Sequence, residues 1–306
     1  MDKRKLIGPV LLFLAALLWG CSFVAQDVGA ATVEGFTYQA TRNLLGALVL
    51  LFICLGKAAW QKKKGIYQPL APKNKKYLWI GGILCGVVLS VAANLQQFGI
   101  AQNVTSPGKD AFITALYIVF VPIFALFLGR RAQPHVYLCV ITALVGLWML
   151  CMGGQGITSG DILVICCSVV FAVHITVVDV VIPHVDGVAL SCIQFFTASL
   201  ISAVGMLIFE EPDIGTILAA WLPIVYSGVF SAAGGYTLQI LGQKHTPPTV
   251  ACLVMSLESV FAVISSMILL PEVPAPTARE WWGMVVIFAA IIFSQVPLRY
   301  GKKQQE

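Results

Sequence analysis

Ten apolar stretches of about 20 residues run along the chain, at 6-25, 35-56, 77-101, 106-129, 134-153, 160-182, 187-209, 216-241, 248-270 and 280-298, with short polar intervals between them. A helix rises about 1.5 Å per residue, so each stretch is long enough to cross roughly 30 Å of hydrocarbon. The pattern predicts an all-α integral membrane protein of ten transmembrane helices and leaves little chain for a soluble domain. The basic opening Met1-Asp-Lys-Arg-Lys5 resembles the start of a secretory leader. The apolar run behind it reaches about 19 residues where leader cores reach about 15, which predicts a retained first helix.

Composition agrees: 58% of residues are hydrophobic and 11% charged, outside the range of soluble globular domains. Charge adds an orientation. With the N-terminus cytoplasmic, 16 of the 19 Lys and Arg fall on the cytoplasmic side, in the tails and in the loops after helices two, four and eight. Basic residues placed in this way predict a cell-membrane protein with both termini in the cytoplasm. The net charge of +5 is accounted for by insertion and by contact with anionic lipid, without a nucleic-acid partner.

The chain also repeats itself. A shift of 152 residues places Gly8 on Gly160, Asp27 on Asp179 and Gly35 on Gly187; a shift of 141 places Gln102 on Gln243, Leu116 on Leu257 and Phe120 on Phe261. The division predicts two five-helix units, 1-155 and 156-306. Five is odd, so the second unit must enter the membrane in the opposite sense. Such inverted repeats support alternating access to a site near the midplane.

The nine cysteines lie in or beside apolar segments with no CxxC pair, which predicts packing residues with no disulfide and no metal site. No GxxxxGK[ST] loop is present, so no nucleotide would drive transport. Energy would come from a proton or solute gradient, or flux would be facilitated, and no cofactor is expected.

Leu18-Trp-Gly-Cys-Ser-Phe-Val24, Arg42, and Thr105-Ser-Pro-Gly-Lys-Asp-Ala-Phe-Ile-Thr114 followed by Tyr117 and Pro122 resemble the EamA family of the drug/metabolite transporter superfamily. In the second half Gly160-Asp161, Phe171-Ala-Val-His174, Gln194 and Ser256-Leu-Glu258 do the same. The resemblance implies ten helices and transport of small metabolites, often outward. Ser259 stands where that family usually has proline, so the resemblance does not imply a break in helix nine.

An ionisable group in mid-bilayer costs about 2.5 to 3.5 kcal/mol on insertion scales and so needs a partner, a cavity or neutralisation. Glu258 and its repeat partner Tyr117 both fall near the midplane. Glu258 is either a counter-charge or proton carrier in a substrate cavity, or a protonated acid that bridges helices. His174 is deep as well, opposite Ser22 in the repeat, and either serves proton coupling or packs. Trp19 lies two thirds along helix one, where its indole could stack on an organic solute or fill the core. Asn94 with Gln97, and Tyr236 with Gln239, form i,i+3 polar pairs suited to a polar solute.

Arg42 and its repeat partner Gln194 lie about seven residues in from opposite faces. Arg42 either attracts an anionic solute or pairs with Asp27 or Asp110 to close the outer mouth. Lys109, beside Asp110, is expected to take part in capping at the outer surface. Thr105-Ser-Pro107 and Thr246-Pro-Pro248 read as helix starts with a hydroxyl cap, and Pro122 is expected to kink helix four.

These features predict a secondary transporter, and an exporter, of small metabolites, amino acids or related polar or amphipathic compounds among them, with protons and membrane lipid as partners. A membrane-embedded enzyme would need a nucleophile and base or clustered ligands, and no GxSG or HExxH is present. A non-transporting receptor or scaffold is the remaining alternative.

Overall fold

The computed structural model describes residues 3–67, 69–102, 107–151, 157–270, 275–294 and 296, and all of their regular secondary structure is helical. The first half contributes α1 (Lys3–Ala30), α2 (Gly35–Lys63), α3 (Pro72–Gln102), α4 (Pro107–Thr114), α5 (Tyr117–Phe127) and α6 (Pro134–Cys151). The second half contributes α7 (Ser159–Val181), extended by a short 3₁₀ turn Ile182–His184, α8 (Gly187–Phe209), α9 (Ile214–Ala219) and α10 (Trp221–Val225). A π-helix Tyr226–Tyr236 follows, then α11 (Thr237–Gln243), α12 (Pro248–Met255), α13 (Glu258–Leu269) and α14 (Ala278–Ser294). Among the described residues eight helical spans are long and apolar enough to cross a membrane, and Pro134–Met149 is a shorter apolar helix.

Burial runs opposite to that of a soluble protein. Large apolar side chains such as Phe52, Leu200, Leu207 and Phe209 face outward, whereas Gln39, Gln97, His174 and Gln194 are fully enclosed. Hydrocarbon surroundings give no reason to hide apolar groups, so close packing and internal hydrogen bonds hold the helices together.

The helices run further than the apolar stretches. α1 continues to Ala30, α2 to Lys63, and α3 starts at Pro72, because a helix keeps its backbone groups paired after it leaves the apolar layer. Prolines 72, 107, 134 and 248 each stand first in their helix, where no amide hydrogen is needed. α2 and α5 end the same way: Gly65 (φ 68°) and Gly129 (φ 70°) adopt the left-handed conformation. The amides of Ile66 and Arg130 then return to the carbonyls of Gln61 and Ala125, the six-to-one bond of a Schellman stop.

Helix packing maps onto itself when the halves are exchanged. α1 packs on α13 as α7 packs on α4 and α5; α3 packs on α7 as the π-helix and α11 pack on α1; α3 packs on α8 as the π-helix packs on α2. α2 against α8, and α6 against α14, pair each helix with its own counterpart. Small residues permit the closest of these contacts. A Cβ on Gly86 would lie 2.6 Å from the Gln194 carbonyl oxygen, and one on Gly228 would lie 2.8 Å from that of Arg42. Gly228→Leu should push α2 off the π-helix and cost about 1–3 kcal/mol. A thermal midpoint equal to that of the native protein would contradict this close approach.

Besides the turn at Ala220 that separates α9 from α10, three interruptions break the expected helices. α4 gives way to α5 at Ala115-Leu116, and α12 to α13 at Ser256-Leu257, which are equivalent positions in the repeat. Leu116 (φ −58°, ψ −11°) and Leu257 (φ −59°, ψ −15°) have the low ψ of a tightened turn. Pro122 does not mark the first break; it lies inside α5. The second break forms without a proline at 259, since Ser256 Oγ bonds the Leu253 carbonyl at 2.7 Å and Ser259 Oγ that of Ser256 at 2.8 Å. Hydroxyls that bond back into a helix bend it.

The third interruption is the π-helix, where one helix over 216-241 is expected and where α3, its counterpart, is continuous. Tyr38 Oη reaches in from α2 to lie 2.6 Å from Ser227 Oγ and 3.2 Å from the Pro223 carbonyl oxygen. That carbonyl would otherwise receive the amide of Ser227 in an α-turn, and a side chain inserted into the ladder shifts its register.

Helix starts also differ from expectation. Pro247 is the cap of α12 with no side-chain bond, so Thr246 lies one residue too early to cap and instead packs under Gly8. Thr105 and Ser106 lie outside the described residues. Asp186 caps α8 through the amides of Val188 and Ala189, both at 3.1 Å, and meets Lys57 Nζ at 2.5 Å. Burial pushes the Asp186 carboxyl up, but Lys57 and the cap amides outweigh it and hold it below its ordinary value of 3.8. A depressed carboxyl stabilises the fold fully above its unfolded value and loses that contribution as pH falls through the lower folded value. Asp186→Asn should therefore remove one component of acid sensitivity below about pH 4, read from unfolding at a series of pH values.

Candidate functional site: a polar chamber between the halves

The two tightened turns set the site. Each is followed at once by a residue whose side chain turns into the interior, Tyr117 at the start of α5 and Glu258 at the start of α13, both buried. Between them lies a chamber lined by Trp19, Ser22, Phe23 and Gln26 of α1, Arg42 of α2, Gln96 of α3 and Thr114 of α4. Phe171 and Ile175 of α7, Ser231 and Tyr236 of the π-helix, and Gln239 of α11 complete it.

The lining is unusual in its free valences. Trp19 Nε1, Gln26 Oε1, Arg42 Nε and Nη1, Tyr117 Oη, Gln239 Oε1 and Glu258 Oε1 are all buried without a hydrogen-bond partner. A buried polar group left unpaired costs about 1–3 kcal/mol, so seven such atoms around one chamber mark a place built to meet a polar guest or water. Donors and acceptors are both present: Arg42 and Trp19 donate, Gln26, Gln239 and Glu258 accept, and the tyrosine hydroxyl does either.

Aromatic rings form the rest of the wall. Trp19 lies 4.7 Å from Tyr236 at 58°, and Phe195 backs Tyr236 edge-on at 5.3 Å. Tyr236 interacts electrostatically with both Arg42 and Glu258. Tyr117 and Glu258 also face each other closely enough to interact.

The chamber is narrow. Space for water centres amounts to about 30 Å³, and one water needs about 10–15 Å³ on that measure. At one end it is bordered by the Tyr38–Ser227–Ser22 hydroxyls and by the bond from Gln97 Nε2 to the Gln26 carbonyl (3.2 Å). At the other end Gln239 donates to Gln243 Oε1, and Gln243 donates to the Ile175 carbonyl, each at 3.0 Å.

Of the residues singled out in the sequence, Trp19, Tyr117, Tyr236, Gln239, Glu258 and Arg42 meet here. Asn94 bridges α3 to α8 through Ser202 Oγ at 2.9 Å, and Gln97 belongs to the closing end. His174 stands one layer back, 3.2 Å from Gln194 Oε1 and edge-on to Tyr236 at 6.0 Å. Gln194 is thereby engaged away from the chamber.

No ion pair joins Arg42 to Asp27 or Asp110 among the described residues; its guanidinium lies 6.0 Å from the Tyr38 ring. Lys109 is not a surface cap. It reaches Asp161 at 2.7 Å, because α7 brings that carboxylate, already bonded to the Thr158 amide, alongside α4. Ser22, Gln26, Gln96, Thr114 and Ser231 line the chamber without having been singled out as site residues. Ser22 and Thr114 carried a signal, both inside the family-like motifs and Ser22 also as the repeat partner of His174.

Outward apolar faces, a buried polar interior and a chamber shared by two exchangeable halves define a multi-pass membrane transport protein. The sequence matches the EamA-like transporter family twice, over residues 6–152 and 158–295, and the chain belongs to that family, within the drug/metabolite transporter superfamily. It is 23% identical over 290 residues to an uncharacterised transporter of Archaeoglobus fulgidus, covering 94% of this chain and 86% of that one. An uncharacterised transporter of Clostridium kluyveri is 24% identical over 278 residues, 87% and 86% of the two chains. A solved crystal structure shares the fold with a TM-score of 0.68 at 20% identity over 96% of each chain.

Proposed function

We propose that the protein is a secondary carrier that exports small polar or amphipathic metabolites, amino acids or related compounds among them, across the cell membrane. In this reading ten helices cross as two inverted five-helix units with both termini cytoplasmic, and the chamber opens to one side at a time. The observation that carries it is the set of seven unpartnered polar atoms around a chamber that both halves build.

Arg42 holds an anionic group of the solute, Glu258 a cationic group or a proton, and Trp19, Tyr117, Tyr236 and Gln239 the body between. The chamber as described is too small for such a solute, which fits an occluded conformation that a guest must enter by parting the halves. Thermal unfolding of the purified protein against a metabolite collection tests the reading. At least one such compound should raise the midpoint, by the mass action of binding to the folded state alone. The same compound should then cross proteoliposomes faster than protein-free vesicles; a stabilising compound that does not cross would count against transport.

A further inference from the structure

Three salt bridges join the two halves, each with the base from the first and the acid from the second: Lys57 to Asp186, Lys109 to Asp161, and Arg130 to Asp179. A fourth crossing is made by Glu210 at the end of α8. Its carboxylate accepts from the amides of Phe36 and Thr37, both at 2.7 Å, and from Thr37 Oγ1 at 2.8 Å. It thereby caps α2, whose own Glu34 makes no cap bond.

The four contacts sort by the ends of the helices. Lys109 with Asp161, and Glu210 with α2, lie where α4, α7 and α2 begin and α8 finishes. Lys57 with Asp186, and Arg130 with Asp179, lie where α2, α5 and α7 finish and α8 begins. The chamber lies between the two sets, so parting the halves at one end breaks that end's pair of these contacts and leaves the other pair whole.

We propose that these contacts are the two gates of the transport cycle, and that the gate of Lys57 and Arg130 is the weaker. This inference rests on the alternating-access reading above. The side chains of Lys57 and Asp186 are 44% and 40% exposed and that of Arg130 is 45% exposed over an Asp179 at 10%, whereas those of Lys109 and Asp161 are 16% and 2% exposed, so water reaches at least one partner of each pair at the first end and neither freely at the second. Exposed ion pairs hold little because water and salt screen them, while a buried acid separated from its base is costly. The protein at rest therefore opens at the Lys57 and Arg130 end, the end that the charge distribution assigns to the cytoplasm.

The test places a reporter in the chamber, Ser231→Cys, in the otherwise native chain in oriented vesicles. Its modification by a charged, membrane-impermeant methanethiosulfonate is read at that residue by mass spectrometry. Reaction should be faster from the Lys57 side and accelerate there with salt. Adding Lys109→Gln should raise reaction from the Lys109 side about fivefold or more and lower it from the other, a shift within the usual range of conformational coupling. Lys109→Arg should restore the native ratio. Glu210→Gln addresses the same end should Lys109→Gln fail to fold, and Lys57→Gln with Arg130→Gln should bias the ratio the opposite way.

A reporter reached from both sides whose ratio ignores all of these variants overturns the gates and leaves the carrier intact. A reporter reached from one side or from neither in every variant overturns alternating access, and the gates with it.

Discussion

Glu258→Gln is expected to abolish flux driven by a pH gradient while leaving the purified protein at least as stable as the native one. Glu258 opens α13 just after the Ser256-Leu257 turn, buried, with Oε1 unpartnered. Glutamine keeps the shape and removes both the charge and the titrating proton. A contact to a charged group is worth about 1.5–3 kcal/mol, so a solute or proton held there should be lost by roughly 10- to 100-fold. If Glu258 instead braced the bundle, the midpoint would fall and flux would survive in the folded fraction. Vesicle flux and thermal unfolding of the same preparation separate the two.

Arg42→Met should give the second large effect, again with opposite signs for stability and function. The guanidinium is 3% exposed and two of its nitrogens have no partner. A hydrophobic side chain of similar length relieves a buried unpaired charge, which raises stability by about 1–4 kcal/mol where such replacements have been made. Affinity for a carboxylate-bearing solute should fall by roughly 10- to 100-fold, the loss of one charge-assisted contact. Arg42→Lys should recover only part of it, since an ammonium lacks the planar fork. Lowered stability with unchanged affinity would assign Arg42 to the scaffold.

The helices were legible because lipid imposes one rule that sequence displays directly: about 20 apolar residues per crossing. Their interruptions were not. Tyr38 inserts into the start of the π-helix from a residue nearly 190 positions away, and no local pattern announces that. At Ser256 the bend comes from hydroxyls bonding back to carbonyls, a choice that serine makes in some helices and not in others.

The chamber was half legible for a related reason. Depth follows from counting residues, and Trp19, Tyr117 and Glu258, expected at similar depth, line one chamber. Which side of a helix faces the chamber follows from packing, so Asn94 and Gln97 went to α8 and α1 while Tyr236 and Gln239 went inward. Small hydroxyls such as Ser231 gave no signal among so many serines. The cross-half ion pairs were hidden because Lys109, beside Asp110, read as capping chemistry at the outer surface, whereas the fold carries it to Asp161.

The most direct measurement compares efflux from proteoliposomes loaded with a labelled mixture of amino acids and related polar metabolites, for native protein and Glu258→Gln, with and without a pH gradient. The account predicts that native protein depletes at least one component in a gradient-dependent way and that the variant does not. Gradient-driven efflux of equal rate through both would contradict it.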